Sequence, residues 1–73
     1  MRDLRYGVHV PHLRAVRTSR LLSQARLAHQ AHVDRGTVIN AEKGLPIKPM
    51  SMGRLAKALK VDWRTLVEGD GNT

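Results

Sequence analysis

Apolar residues recur along most of this chain at intervals of three and four, the spacing that lines one face of a helix. Leu13 and Val16, with Arg17, Arg20 and Leu21 following, predict a first amphipathic helix over about 12–20. Ser23 stands where a cap belongs, ahead of a second helix over 24–30 that carries Ala25, Leu27 and Ala28. Ala31-His32-Val33 reads as a short connection, and Asp34 as the cap of a third helix over 35–42, its carboxylate suited to the positive end of that helix. Gly44 stops the third helix, and Gly44 to Pro49, with Pro46 inside it, is a loop. Ser51 is expected to cap a fourth helix over 52–60, with Leu55, Ala56 and Leu59 inward. Asp62 caps a fifth over 63–67, holding Trp63, Leu66 and Val67. Trp63 reads as a core anchor.

The two ends differ from this pattern. Leu4, Tyr6, Val8 and Val10 alternate with Arg5, Gly7 and His9, a period of two that suggests a strand ended by Pro11. A lone strand must dock or pair. The alternative is a flexible basic arm, with Arg2 and Arg5 near phosphate. Residues 69–73 read as a disordered tail. The organisation expected is an N-terminal arm or strand (1–11), one all-α domain of four to five helices (12–68) and the tail.

Composition narrows the class. The 73 residues have room for one domain, and a chain this short needs tight helices, a staple or a partner subunit. There is no Cys, which removes disulfides and thiolate metal sites. No apolar run approaches the ~20 residues of a membrane span and no leader is apparent, so a soluble, cytoplasmic protein is expected. The net charge is +7, and it is uneven: residues 1–60 hold twelve Lys or Arg against Asp3, Asp34 and Glu42, while residues 61–73 are slightly acidic. A basic body of this kind implies a polyanionic partner, most simply nucleic acid.

The second and third helices carry the sharpest motif. Two helices joined by about three residues cross closely only if a small residue sits at the contact, and Ala28 supplies it. Leu27, Ala31, Val33, Val38 and Ala41 are placed to hold the crossing from both sides. The other face of the third helix is then free, offering Arg35, Gly36, Thr37, Ile39, Asn40 and Lys43. The segment Gln24 to Lys43 resembles the helix-turn-helix of the lambda-repressor-like family, also called the Cro or Xre type, and the resemblance extends over about 13–68. It implies a compact all-α DNA-binding domain of five helices that binds operator DNA as a two-fold dimer. It also implies a salt bridge between Arg17 and Glu42, a closing helix from Val61 to Leu66, and Gln24 contacting a phosphate and bracing the first residue of the third helix. Two positions depart from the family pattern. His32 stands where a turn Gly is usual and the backbone is left-handed, and Gly36 removes a side chain from a place that often reads a base.

The expected roles follow from groove chemistry. Arg35 can pair with guanine, or contact a phosphate; Asn40 can pair with adenine. Thr37 can meet a thymine methyl or a phosphate, and Ile39 a thymine methyl or the edge of the core. Gln24, Arg26 and Lys43 are expected on phosphates, where they set register and salt dependence without reading sequence. Arg14, Arg20, Lys57 and Lys60 read as solvated helix faces.

Other chemistries find little support. The pairs His9/His12 and His29/His32 could in principle hold a transition metal, but the first straddles Pro11 and the second ends a helix, so no metal and no cofactor is expected. Two aromatic residues are too few for a single-strand stacking platform. With no nucleophile set, paired carboxylates or phosphate loop, the chain does not read as an enzyme. The function expected is a transcriptional regulator, in its simplest form a repressor, bound as a homodimer to a palindromic site on double-stranded DNA. The competing reading is a protein-interaction module or antitoxin-type partner with the same fold; a basic RNA binder is a third. The dimer surface is expected around Val61 to Val67, or through pairing of the Leu4–Val10 segment with its twin.

Overall fold

A computed structural model describes residues 7–69 of the chain. Five helices follow one another: α1 (Leu13–Ser19), α2 (Gln24–Ala31), α3 (Arg35–Glu42), α4 (Pro49–Leu59) and α5 (Trp63–Glu68). Their starts depend on different devices. The Ser23 hydroxyl accepts a hydrogen bond from the Arg26 amide (3.0 Å), and the Asp62 carboxylate accepts one from the Arg64 amide (2.9 Å), so both act as the side-chain caps their positions suggested. Asp34 does occupy the cap position of α3, but its side chain makes no cap hydrogen bond. The fourth helix corrects the sequence reading. It begins at Pro49, with Lys48 as cap residue, and Ser51 lies inside it. Proline fits the first helical position because its missing N–H would be unpaired there anyway, so the residue read as the end of a loop is the start of a helix.

Four of the helices stop in one way. The N–H of Leu22 donates to the Arg17 carbonyl, Val33 to Ala28, Leu45 to Asn40 and Val61 to Ala56. Each such bond reaches back over a residue in the left-handed region, and each is followed by an apolar residue, the Schellman pattern. Only Gly44 (φ 93°) has the residue type that makes this inexpensive; Leu21, His32 and Lys60 adopt φ of 59–60° with a side chain present.

The core is a single cluster. Leu13 of α1, Leu27, Ala28 and Ala31 of α2, Val38 and Ala41 of α3, Leu55, Ala56 and Leu59 of α4 and Leu66 of α5 are buried, with Val10 and Ile47 joining them from outside the helices. Among the described residues every buried residue is apolar. α2 packs on both α3 and α4, so it is the hinge of the assembly. Fully burying a Leu is worth ~1.5–3 kcal/mol, which gives the five fully buried leucines the leading role in so short a chain.

Among the described residues the predicted strand appears as one bridged residue pair. Val8 and Ile47 exchange both backbone hydrogen bonds (2.7 and 2.9 Å) as an antiparallel bridge. The alternation holds locally: Val8 and Val10 turn toward the core and His9 is exposed. Both backbone groups of Val8 are spent on Ile47 of the same chain, so the edge of the segment that faces the α3–α4 connection is occupied. Leu4, Tyr6, Arg2 and Arg5 lie outside the described residues, as do residues 70–73 of the expected tail; Gly69 is described and closes α5.

Candidate nucleic-acid interface

The clasp of α2 and α3 is built from the residues expected to form it. Leu27, Ala28, Ala31, Val38 and Ala41 are buried, and Val33 packs half-buried against them. The turn between the helices runs through His32 at φ 59°, ψ 43°, the left-handed geometry normally left to Gly. Arg54 of α4 donates from Nη1 to the His32 carbonyl (3.1 Å), fixing the turn from the far side.

With Val38 and Ala41 inward, the rest of α3 is a ridge between two grooves. Arg35 and Ile39 line one of them, together with Gln24, Arg14 and Lys43. Thr37 and Asn40 line the other, together with Lys48, Met50 and Arg54. Arg35, Gly36, Asn40 and Lys43 are exposed, while Thr37 and Ile39 are half-buried at the ridge's base. A Cβ added at Gly36 would meet nothing within 4 Å, so the smallest residue stands on the open outer surface. Arg26 is exposed but lines neither groove. Ala25, which the pattern grouped with the inner residues, is exposed beside Arg35.

One charge network holds the ridge to the body. Arg17 of α1 donates from Nε to Glu42 Oε2 and from Nη2 to Oε1 (3.0 Å), a fork-to-fork pair. Its Nη1 donates to the Leu22 carbonyl (2.7 Å). Gln24 donates from Nε2 to the same Glu42 Oε1 (3.0 Å), so this amide braces the last turn of α3 rather than Arg35. The side chains of Arg17 and Glu42 are 11% and 6% exposed. Burial by itself pushes the Glu42 carboxyl up, but hydrogen bonds from Arg17 and Gln24 and the charges of Arg17 and Arg14 outweigh it and hold the carboxyl below its usual value. The hydrogen bond to Glu42 raises the Arg17 guanidinium above its own ordinary value, against the opposing effect of burial. Both groups are therefore charged across the neutral range.

Two functional candidates escaped the sequence reading. Lys48 and Arg54 face the Asn40 side of α3, and nothing in the linear pattern places them there, because their approach depends on how the α3–α4 connection folds back. Pro49 was the available signal: taken as the first residue of a helix rather than the last of a loop, it would have put Lys48 at a helix start. Trp63 is a correction of another kind. It is 44% exposed, with the Arg64 guanidinium 5.5 Å from the ring centre. In α5 the fully buried place goes to Leu66, with Val67 half-buried against the core, and Trp63 is left outside.

Comparison with known proteins agrees with this geometry. The helix-turn-helix family model matches residues 13–66, most of the chain. This is a Cro/C1-type helix-turn-helix protein. Helix-turn-helix proteins of this type are DNA-binding transcription regulators. The protein is similar to the restriction-modification controller protein C.AhdI from Aeromonas hydrophila, at 36% identity over 75% of this chain and 85% of that one, with a TM-score of 0.71. The fold also matches a chain in a complex of the SinR and SinI proteins, at 20% identity over 85% of this chain and 63% of that one, TM-score 0.72. No curated protein matches the sequence. Among the described residues no helix of this helix-turn-helix protein is long and apolar enough to cross a membrane.

Proposed function

We propose that the protein is a dimeric repressor that reads double-stranded DNA by laying α3 in the major groove. The observation that carries this is the ridge: Val38 and Ala41 hold α3 to the body, and Arg35, Gly36 and Asn40 stand free between two grooves lined with cations. B-DNA's major groove is ~12 Å wide and bounded by two phosphate rows, so a helix with cations on both flanks suits it better than a flat surface does. Arg35 pairs with guanine and Asn40 with adenine. Thr37 and Ile39, lower on the ridge, meet thymine methyl groups, and the bare Gly36 lets the helix backbone come close to the base edges. Lys43 and Gln24 meet one phosphate row, and Lys48 and Arg54 the other; Arg26, exposed outside both grooves, meets a phosphate beyond them. Similarity to a restriction-modification controller supports the regulatory reading.

Pairing of two copies through α5 completes the proposal. Exposed Trp63 and half-buried Val67 lie one turn apart on α5 and offer an apolar surface for a two-fold axis; binding of two α3 helices to one face of a duplex requires that axis to set them ~34 Å apart.

Selecting bound sites from random duplex DNA tests the reading directly. A palindrome with half-sites about one turn apart is expected. On the selected site, Arg35→Ala should relax preference at one base position, whereas Lys43→Ala should weaken all duplexes alike and lower the salt slope by about 1. If Arg35→Ala and Asn40→Ala leave the main binding activity intact, the fold serves to dock a protein instead.

A further inference from the structure

The segment before α1 lies outside the stretch matched by the family model, and it binds the one connection that borders α3 on its far side. Three consecutive residues take part. Gly7, at φ 104°, runs so close to the connection that a Cβ there would stand 2.8 Å from Pro46 Cβ and 3.0 Å from the Ile47 carbonyl oxygen. Val8 exchanges both backbone hydrogen bonds with Ile47. His9 lies 3.0 Å through Nδ1 from the carbonyl oxygen of Gly44, the left-handed residue that ends α3; a carbonyl only accepts, so Nδ1 is the donor. Val10 then enters the core and anchors the segment.

Apart from the helix-ending bonds of Gly44 to the Ala41 carbonyl and Leu45 to the Asn40 carbonyl, the connection owes its place to the strap and to Ile47. Lys43, Gly44, Leu45, Pro46 and Lys48 are exposed, and of its residues only Ile47 is buried. Yet this connection sets where Lys43 leaves α3 and where Lys48 opens α4, one on each side of the ridge. A connection free to move would have to be ordered on each binding event, and that ordering is subtracted from affinity.

We propose that the strap Gly7–Val10 is a positioning element for the recognition surface: it touches the α3–α4 connection rather than the ligand, and by fixing Gly44 and Ile47 it presets Lys43 and Lys48 against the two phosphate rows. The proposal rests on the duplex-DNA reading of α3. It assigns His9 a role other than metal binding, and it gives the period-two pattern around Val8 a purpose within one chain.

The test compares wild type, His9→Ala, His9→Asn and Gly7→Ala on the duplex selected by the wild type. His9 is exposed, so removing its ring leaves the core intact, and Asn returns an amide donor near the position of Nδ1. His9→Ala is expected to weaken duplex binding about fivefold, because a mobile connection must be ordered on binding. It should also lower protection of the phosphates on the Lys48 side and speed amide exchange at Leu45 and Ile47, with the melting temperature almost unmoved. His9→Asn should restore both affinity and protection. Gly7→Ala should act in the same direction and more strongly. Binding by His9→Ala and Gly7→Ala within twofold of wild type overturns the proposal, as does a loss of affinity that merely tracks lost stability and is not rescued by Asn. A wild type that shows no salt-dependent duplex binding overturns the reading of α3, and the role of the strap with it.

Discussion

Replacing Arg17 by Met tests how α3 is held to the rest of the molecule. The side chain joins three elements: it forks onto Glu42 of α3, donates to the Leu22 carbonyl ahead of α2, and rises from α1. Methionine keeps the apolar stem and removes every one of those donors. Glu42 would retain only the Gln24 amide, with a carboxylate that is 6% exposed. Breaking one side of a buried ion pair costs about 3–5 kcal/mol, and the partial access of water to the guanidinium puts this case near 3. A 73-residue domain has about 4–11 kcal/mol in all, so the substitution removes a large share. In thermal melts followed by circular dichroism, a fall of about 12–24 °C is expected. The double variant Arg17→Met/Glu42→Leu should recover most of the loss, since no charge is left stranded. Acid provides an independent readout. Because Glu42 holds its proton less tightly folded than unfolded, its contribution is complete above the ordinary Glu value of about 4.3 and is lost as pH falls through the lower folded value. Glu42→Gln should flatten that part of the stability–pH curve. A cost below about 1 kcal/mol for Arg17→Met, or a double variant as unstable as the two single losses together, would refute the view that this pair fastens α3.

Three further outcomes are expected. Lys60→Gly, at φ 60° and exposed, should stabilise the fold by about 1 kcal/mol in urea titration, because glycine adopts the left-handed region without the Cβ penalty. Gly53→Ala and Gly36→Ala should each add about 0.5–1 kcal/mol, as both sites are open and helical; only Gly36→Ala should also change the selected DNA sequence, since its methyl lies on the outer surface of α3. Trp63 emission should be readily quenched by acrylamide in dilute protein and become shielded as concentration rises, if α5 is the dimer surface; quenching that is independent of concentration, in a protein that sediments as a dimer, would place the interface elsewhere.

The chain declares its helix-turn-helix locally. Ala28, Ala31, Val38 and Ala41 sit at helical spacing, Ser23 and Asp62 cap helices that start in the adjacent sequence, and the pairing of Arg17 with Glu42 is implied by the family resemblance. These features are short-range, or belong to a pattern repeated across a family, and both kinds survive in one dimension. The outward set on α3 was legible for the same reason: once one face of a helix is committed to the core, the 3.6-residue period dictates the other.

Tertiary structure alone decided the remainder. Whether Trp63 or Leu66 fills the inner place of α5 depends on the shape of a core assembled from distant residues, and hydrophobicity does not rank them. Gln24 turned its Nε2 donor to Glu42 because a carboxylate accepts hydrogen bonds, whereas the Arg35 guanidinium carries donors only. Lys48, Arg54 and the strap from Gly7 to Val10 gained their places only when the α3–α4 connection closed on itself, bringing together groups up to 39 residues apart. Periodicity along a chain records which side of an element is buried. It holds no record of what comes to rest against the other side.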